Sequence, residues 1–141
     1  MSTTSLDSRV REIVTQHADW RGPLLPILHA VQAELGYVDP AVVPVIAHEL
    51  NLSVAEVHGV VTFYRDFRSA PAAPVQVRVC RAEACRAVGG EVLAHHAAQH
   101  REAGEVDVDD VFCLGNCALG PSAEVNGRVH GRVTPGRLDS L

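Results

Sequence analysis

Four cysteines carry the first chemical signal in this 141-residue sequence, and they fall in two close pairs: Cys80-Arg-Ala-Glu-Ala-Cys85 and Cys113-Leu-Gly-Asn-Cys117. No cysteine occurs elsewhere, which is unlike a scatter of core residues. Four thiolates can hold a structural zinc tetrahedrally or a two-iron, two-sulfide cluster, and a cysteine can also be a small buried hydrophobe. Spacing places the cluster ahead of zinc, because zinc loops more often put two residues between paired ligands. All three readings stay open on spacing alone. A thioredoxin-type C-x2-C is absent, which argues against dithiol–disulfide catalysis.

Arg78, Arg81 and Arg86 flank the first pair. A two-iron cluster with four thiolates carries a formal charge of about −2 when oxidised and about −3 when reduced, so nearby guanidiniums would raise its potential. The same arginines suit a solvated face or a partner contact equally well. His95, His96 and His100 lie close together, and His96 with His100 has the i, i+4 spacing of a metal-binding pair. The stretch His96-Ala-Ala-Gln-His100 lacks the glutamate of H-E-x-x-H and offers no third ligand, so a solvated helix face is expected there. Asp107, Asp109 and Asp110 alternate with valines and read as the wet side of a strand rather than as paired catalytic carboxylates. Trp20, Phe63, Tyr64 and Phe67 are candidates for partner contact, with core packing an equal alternative for Phe63 and Tyr64.

The elements that must position these residues differ between the two halves. Residues 5–64 have helical periodicity. Val10, Ile13 and Val14 mark a helix over Ser8–Gln16, broken by Arg21-Gly22-Pro23. Leu24, Ile27, Leu28, Val31 and Leu35 mark a second, with Gly36 as C-cap. Asp39-Pro40 opens a third running from Val42 to Leu50, ended by Asn51, and Ser53-x-x-Glu56 is a capping box opening a fourth. These predict a small antiparallel helical bundle. Residues 69–74, with two prolines, form a linker. Beyond it, Val75, Val77 and Val79 alternate as in a strand, Ala87–Glu102 reads as one long helix, and Val106 to Cys113 as a second strand. Asn126-Gly127 turns a hairpin between Ala123–Val125 and Val129–Val133, and Thr134-Pro135 caps a last short helix. The expected class is α/β (α+β), divided into residues 1–70 and 71–141. Each cysteine pair follows a strand, so both loops leave the same sheet edge.

Composition excludes several functions. Twelve basic residues against 17 acidic ones give a net charge of −5, contrary to a broad nucleic-acid surface. Every basic residue is Arg, which removes Schiff-base chemistry and the lysine of a phosphate loop. No apolar run approaches the roughly 20 residues needed to cross a bilayer, and the polar start MSTTSLDSRV has no signal-peptide core. The expectation is a soluble cytoplasmic protein without membrane insertion, in a compartment where thiols stay reduced. No G-x-G-x-x-G, P-loop or G-x-S-x-G occurs.

Cys80-x4-Cys85 after a strand, followed by Cys113-Leu-Gly-Asn-Cys117-Ala-Leu-Gly-Pro, resembles the thioredoxin-like [2Fe-2S] subunits, the 24-kDa-subunit family of NADH dehydrogenases. Gly36-Tyr37-Val38 and Glu56-Val57-His58-Gly59-Val60-Val61-Thr62-Phe63-Tyr64 are similar to that family's N-terminal signature, with His58 standing where an aromatic residue is expected. The resemblance covers roughly residues 8–138. It implies a helical docking domain followed by a thioredoxin-like domain with a mixed sheet. It further implies that Cys80, Cys85, Cys113 and Cys117 ligate one [2Fe-2S] cluster, which exchanges single electrons with an FMN- and NAD-binding partner. Within the family the cysteine motifs look most like the gamma subunit of soluble NAD-dependent formate dehydrogenases, which implies a molybdenum cofactor on a large partner subunit. Complex I and NAD-reducing hydrogenases are the neighbouring assignments. A zinc-stabilised binding module is the alternative of a different class.

Overall fold

In a computed structural model of the chain, residues 3–101 and 106–141 are described, and they form two compact units, Met1–Pro71 and Ala72–Leu141. The first unit holds four helices: α1 (Thr3–His17), α2 (Leu24–Leu35), α3 (Val43–Glu49, entered through a 3-10 turn at Pro40–Val42) and α4 (Val54–Phe63). α1 begins earlier than the apolar stripe predicts, because no Gly or Pro interrupts it and Leu6 adds packing against the core. Val10, Ile27, Leu28, Val31, Val42, Ile46 and Val57 are fully buried there, each worth roughly 1.5–3 kcal/mol of transfer free energy.

The helix ends follow the local signals. Gly36 takes φ 85° and its N–H donates to the Gln32 carbonyl at 2.8 Å. The Asp39 carboxylate accepts from the Ala41 N–H at 2.8 Å. Ser53 and Glu56 close a reciprocal capping box: the Glu56 N–H donates to Ser53 Oγ at 3.1 Å, and the Ser53 N–H to Glu56 Oε2 at 2.8 Å. The Gln32 side chain fastens the segment after α4, donating to the Asp66 carbonyl at 2.6 Å and accepting from the Arg68 N–H at 2.8 Å.

The second unit is a four-stranded mixed sheet in the order β2-β1-β3-β4, with β1 at Val75–Cys80, β2 at Val106–Val111, β3 at Ala123–Val125 and β4 at Arg128–His130. β1 runs parallel to β2, Val77 opposite Val108, and antiparallel to β3, Val79 opposite Ala123. The parallel pair requires a crossover, supplied by α5 (Glu83–Ala87) and α6 (Gly90–Arg101). Val77, Val79, Leu93, Ala97, Val108 and Ala123 make the core between α6 and the sheet, with Leu138 of α7 (Pro135–Leu138) completing it.

Three elements depart from the periodicity. The helix expected over Ala87–Glu102 begins three residues later, as α6 at Gly90, and its expected last residue lies outside the described residues. A short helix the periodicity does not predict, α5, precedes it across a break at Val88-Gly89. The break has a steric cause: Gly89 takes φ 102°, and a Cβ on Gly90 would lie 2.7 Å from the Cys85 carbonyl oxygen, so the chain folds back onto that carbonyl. β2 ends at Val111, leaving Phe112 exposed. β4 ends at His130, because Gly131 and Arg132 swing the chain against Leu119, whose carbonyl accepts from the Arg132 N–H at 2.6 Å. The hairpin turn itself is as read, with Asn126 and Gly127 at φ 48° and 81°, the mirror-type geometry this dipeptide favours.

Candidate functional site

β1 delivers Cys80 at its last residue, and α5 carries Cys85 near its middle. Both side chains are buried. β2 ends two residues before Cys113, and Cys117 opens a 3-10 turn, Cys117–Leu119; these two thiols are exposed. All four are free thiols. The sulfurs of Cys113 and Cys117 lie 3.6 Å apart, and Cys80 and Cys85 are near enough to perturb each other's protonation. The amides of Ala82, Cys113 and Leu114 lie near enough to the Cys80 sulfur to favour its thiolate. The Gly115 N–H donates to the Cys113 sulfur at 3.3 Å, and Gly115 holds φ 74° to let the loop wrap.

The sulfurs stay in two pairs. Among the described residues, no three cysteine sulfurs lie all within 4.8 Å of one another. The local electrostatics follow from burial and these donors. Burial pushes the Cys80 thiol up, but the Ala82 amide, the Cys85 thiol and the amides of Cys113 and Leu114 outweigh it and bring Cys80 below the ordinary thiol value. Cys85 lies above its ordinary value through burial and the Cys80 thiol beside it, although Ser122 pulls the other way. Cys117 is raised by its hydrogen bond with Cys113.

Several features of the site had no sequence signal. Cys113 adopts φ 96°, a conformation costly for a residue with a side chain and found where function or packing overdetermines the backbone. Buried Ser122 accepts from the Asn116 side-chain amide at 3.1 Å, and its own carbonyl accepts from the Cys80 N–H at 3.0 Å. Gly120, joined to Pro121 by a cis peptide bond, passes so close to α5 that a Cβ there would sit 3.3 Å from the Cys85 sulfur.

The flanking arginines face carboxylates of their own chain. Arg81 donates to Glu91 at 2.7 and 3.2 Å and to Asp110 at 2.9 Å, and these partners, Glu91 first, hold its guanidinium above its ordinary value. Arg86 lies 3.8 Å from Glu91, and Arg78 lies 3.4 Å from Glu124. Asp110 is thus an ion-pair partner rather than plain solvated strand, Asp107 accepts from the Ala73 N–H at 2.7 Å, and Asp109 is exposed. In the helical unit Phe67 is buried, whereas Trp20, Tyr64 and above all Phe63, 77% exposed, face outward. His96 and His100 do have a third neighbour, Asp139 of the C-terminal segment.

The sequence pattern described as thioredoxin-like [2Fe-2S] ferredoxin matches residues 10–141. The chain is 30% identical to the NADP-reducing hydrogenase subunit HndA of Solidesulfovibrio fructosivorans, the match covering 85% of this chain and 75% of that protein. It is 31% identical to an NADH-quinone oxidoreductase subunit of Mycobacterium tuberculosis, over 92% of this chain but only 55% of that protein, so it spans about half the length of the mycobacterial relative. Among solved structures, an NAD+-reducing [NiFe]-hydrogenase in the H2-reduced state superposes with a TM-score of 0.70 at 23% identity, over 84% of this chain and 21% of the hydrogenase chain. That likeness establishes the fold, an α/β arrangement of thioredoxin-like type.

Proposed function

The chain belongs to the thioredoxin-like [2Fe-2S] ferredoxin family, and from that membership we propose that Cys80, Cys85, Cys113 and Cys117 hold one [2Fe-2S] cluster in an electron-transfer subunit that works beside a flavin-bearing partner. The observation that carries the reading is the grouping of the four free thiols into two pairs, Cys80 at the end of β1 with Cys85 in α5, and Cys113 with Cys117 in the segment after β2. With zinc–sulfur bonds of about 2.3 Å, a tetrahedral zinc needs all four sulfurs mutually about 3.8 Å apart. A two-iron rhomb asks instead for two ligands on each iron, with a wider gap between pairs. The 3.6 Å between the Cys113 and Cys117 sulfurs suits two ligands that share one iron.

A [2Fe-2S] cluster supplies a one-electron centre whose potential responds to charge, to hydrogen bonds on its sulfurs and to solvent. The chain's own residues set those terms. Amides of Ala82, Cys113 and Leu114 on Cys80, and of Gly115 on Cys113, favour added negative charge on sulfur and raise the potential. Arg81 contributes less than an isolated cation would, since Glu91 and Asp110 share it. Cys113 and Cys117 lie at the surface beside Phe112 and Leu119, 68% and 43% exposed, an apolar rim suited to a docked partner.

For the parent enzyme we read a cytoplasmic NAD-dependent formate dehydrogenase, with FMN and NAD on the flavin subunit and the molybdenum cofactor on the large subunit. The motif Cys80-Arg-Ala-Glu-Ala-Cys85 supports this. The relatives' names fit a complex I or an NAD-reducing hydrogenase equally well. Among the described residues, no helix is long and apolar enough to cross a membrane.

Anaerobic isolation of the protein tests the cluster: two irons and two sulfides per chain, a visible spectrum bleached by dithionite and an EPR signal after reduction are expected. Cysteine-to-serine changes at Cys80, Cys85, Cys113 and Cys117 should each alter or abolish these signals. Colourless protein with one zinc per chain and no sulfide overturns the reading in favour of the zinc module. Dye reduction by the native complex with formate, NADH or hydrogen then separates the parent enzymes.

A further inference from the structure

We propose that His96, His100 and Asp139 form a second metal site, independent of the cysteines, that takes a divalent transition ion of the zinc type. His96 Nε2 lies 2.7 Å and His100 Nε2 3.0 Å from the same oxygen, Asp139 Oδ1. All three ligand atoms fall within 4.8 Å of one another, the one such grouping among the described residues.

The fold assembles this triad from two directions. α6 presents the histidines one turn apart, and their rings stand 5.2 Å apart at 74°, so both Nε2 atoms converge instead of stacking side by side. Asp139 arrives from the other end of the unit. Thr134 Oγ1 caps α7 by accepting from the Arg137 N–H at 3.2 Å, buried Leu138 pins that helix into the core, and the Asp139 N–H donates to the Pro135 carbonyl at 3.1 Å. The carboxylate is thereby set over α6 by packing rather than by a flexible tail.

Two imidazoles and one carboxylate suit zinc, nickel or copper better than magnesium or calcium, which favour oxygen alone. Bonds of about 2.0–2.2 Å in a tetrahedral shell separate ligand atoms by about 3.4 Å, so the two imidazole–carboxylate distances of 2.7 and 3.0 Å need to open by about 0.4–0.7 Å. Three protein ligands leave a position for water or a small exogenous ligand. His100 and Asp139 also line an otherwise apolar cavity of about 210 Å³ with Val75, Val106 and Val125. The bound ion would clamp α7 to α6 and with it the closing edge of the core.

The test is equilibrium dialysis of the isolated full chain against Zn2+ in a non-chelating buffer, with zinc, iron and sulfide counted per chain before and after. One added zinc with iron unchanged is expected, together with a raised Tm. H96Q, H100Q and D139N should each weaken binding by at least the roughly 10–100-fold that loss of an outer partner of a metal site costs. H95Q, one residue off the ligand face, should bind as wild type does, and circular dichroism reports whether each variant folds. Absence of stoichiometric zinc, binding unchanged in H100Q and D139N, or zinc gained only as iron is lost each overturns the site. Because iron and sulfide are counted separately, failure here is distinguishable from failure of the cluster assignment.

Discussion

Alanine at position 90 is the substitution whose effect the structure predicts most directly. Gly90 begins α6, where Ala is ordinarily preferred by up to about 1 kcal/mol. Here a Cβ would lie 2.7 Å from the Cys85 carbonyl oxygen, 2.9 Å from its carbon and 3.2 Å from the Cys80 carbonyl oxygen. The neighbours are backbone, and no rotamer change relieves the overlap; α6 must move off the two residues that carry the first sulfur pair. Overpacking of this kind costs about 1–3 kcal/mol, so the steric term exceeds the propensity gain and a net loss of about 1–2 kcal/mol is expected. For a unit of this size each kcal/mol moves Tm by roughly 4–8 °C, giving a fall of about 5–15 °C. Thermal unfolding with iron and sulfide analysis measures both consequences, and Gly90→Ala should also retain less iron per chain. Gly136→Ala is the control in the same unit, since a Cβ there meets nothing within 4 Å. If Gly90→Ala melts with wild type and keeps full iron, the close approach of α6 to the cysteine carbonyls does not constrain the site.

Three further outcomes follow from named contacts. Ser53→Ala removes the reciprocal cap of α4 and should cost the helical unit about 1 kcal/mol in denaturant unfolding. Glu91 is held below the ordinary carboxylate range, chiefly by its hydrogen bond from Arg81, so its stabilisation is complete above the unfolded-state value and is lost as pH falls through the lower folded-state value; Arg81→Gln should flatten the acid limb of stability against pH in that window, checked by urea titrations at stepped pH. Phe63→Ala, at a side chain 77% exposed, should leave unfolding within about 0.5 kcal/mol of wild type while weakening co-purification with the proposed flavin-bearing partner.

The four cysteines, their grouping by loop and the helix caps at Gly36, Asp39, Ser53 and Thr134 were legible in the sequence, because each depends on residues within five positions of one another. The hairpin at Asn126-Gly127 was legible for the same reason. The break at Gly89-Gly90 was not, since its role is to meet a carbonyl contributed by the preceding helix, a contact that periodicity does not encode. The arginines beside Cys80 could be counted in advance, but their carboxylate partners come from α6 and β2, 10 and 29 positions away for Arg81.

The sequence alone determined the donor chemistry: four cysteines in two closely spaced pairs, with no lysine and no nucleotide-binding motif. Tertiary structure alone decided how those donors meet. It laid the amides of Cys113 and Leu114 on the sulfur of Cys80, held Cys113 at φ 96°, and carried Asp139 across 39 positions to His100. The physical reason is range. Caps and turns are settled by neighbours along the chain, whereas a ligand shell is closed by strand pairing and core packing, which bring distant residues together only when the whole unit folds.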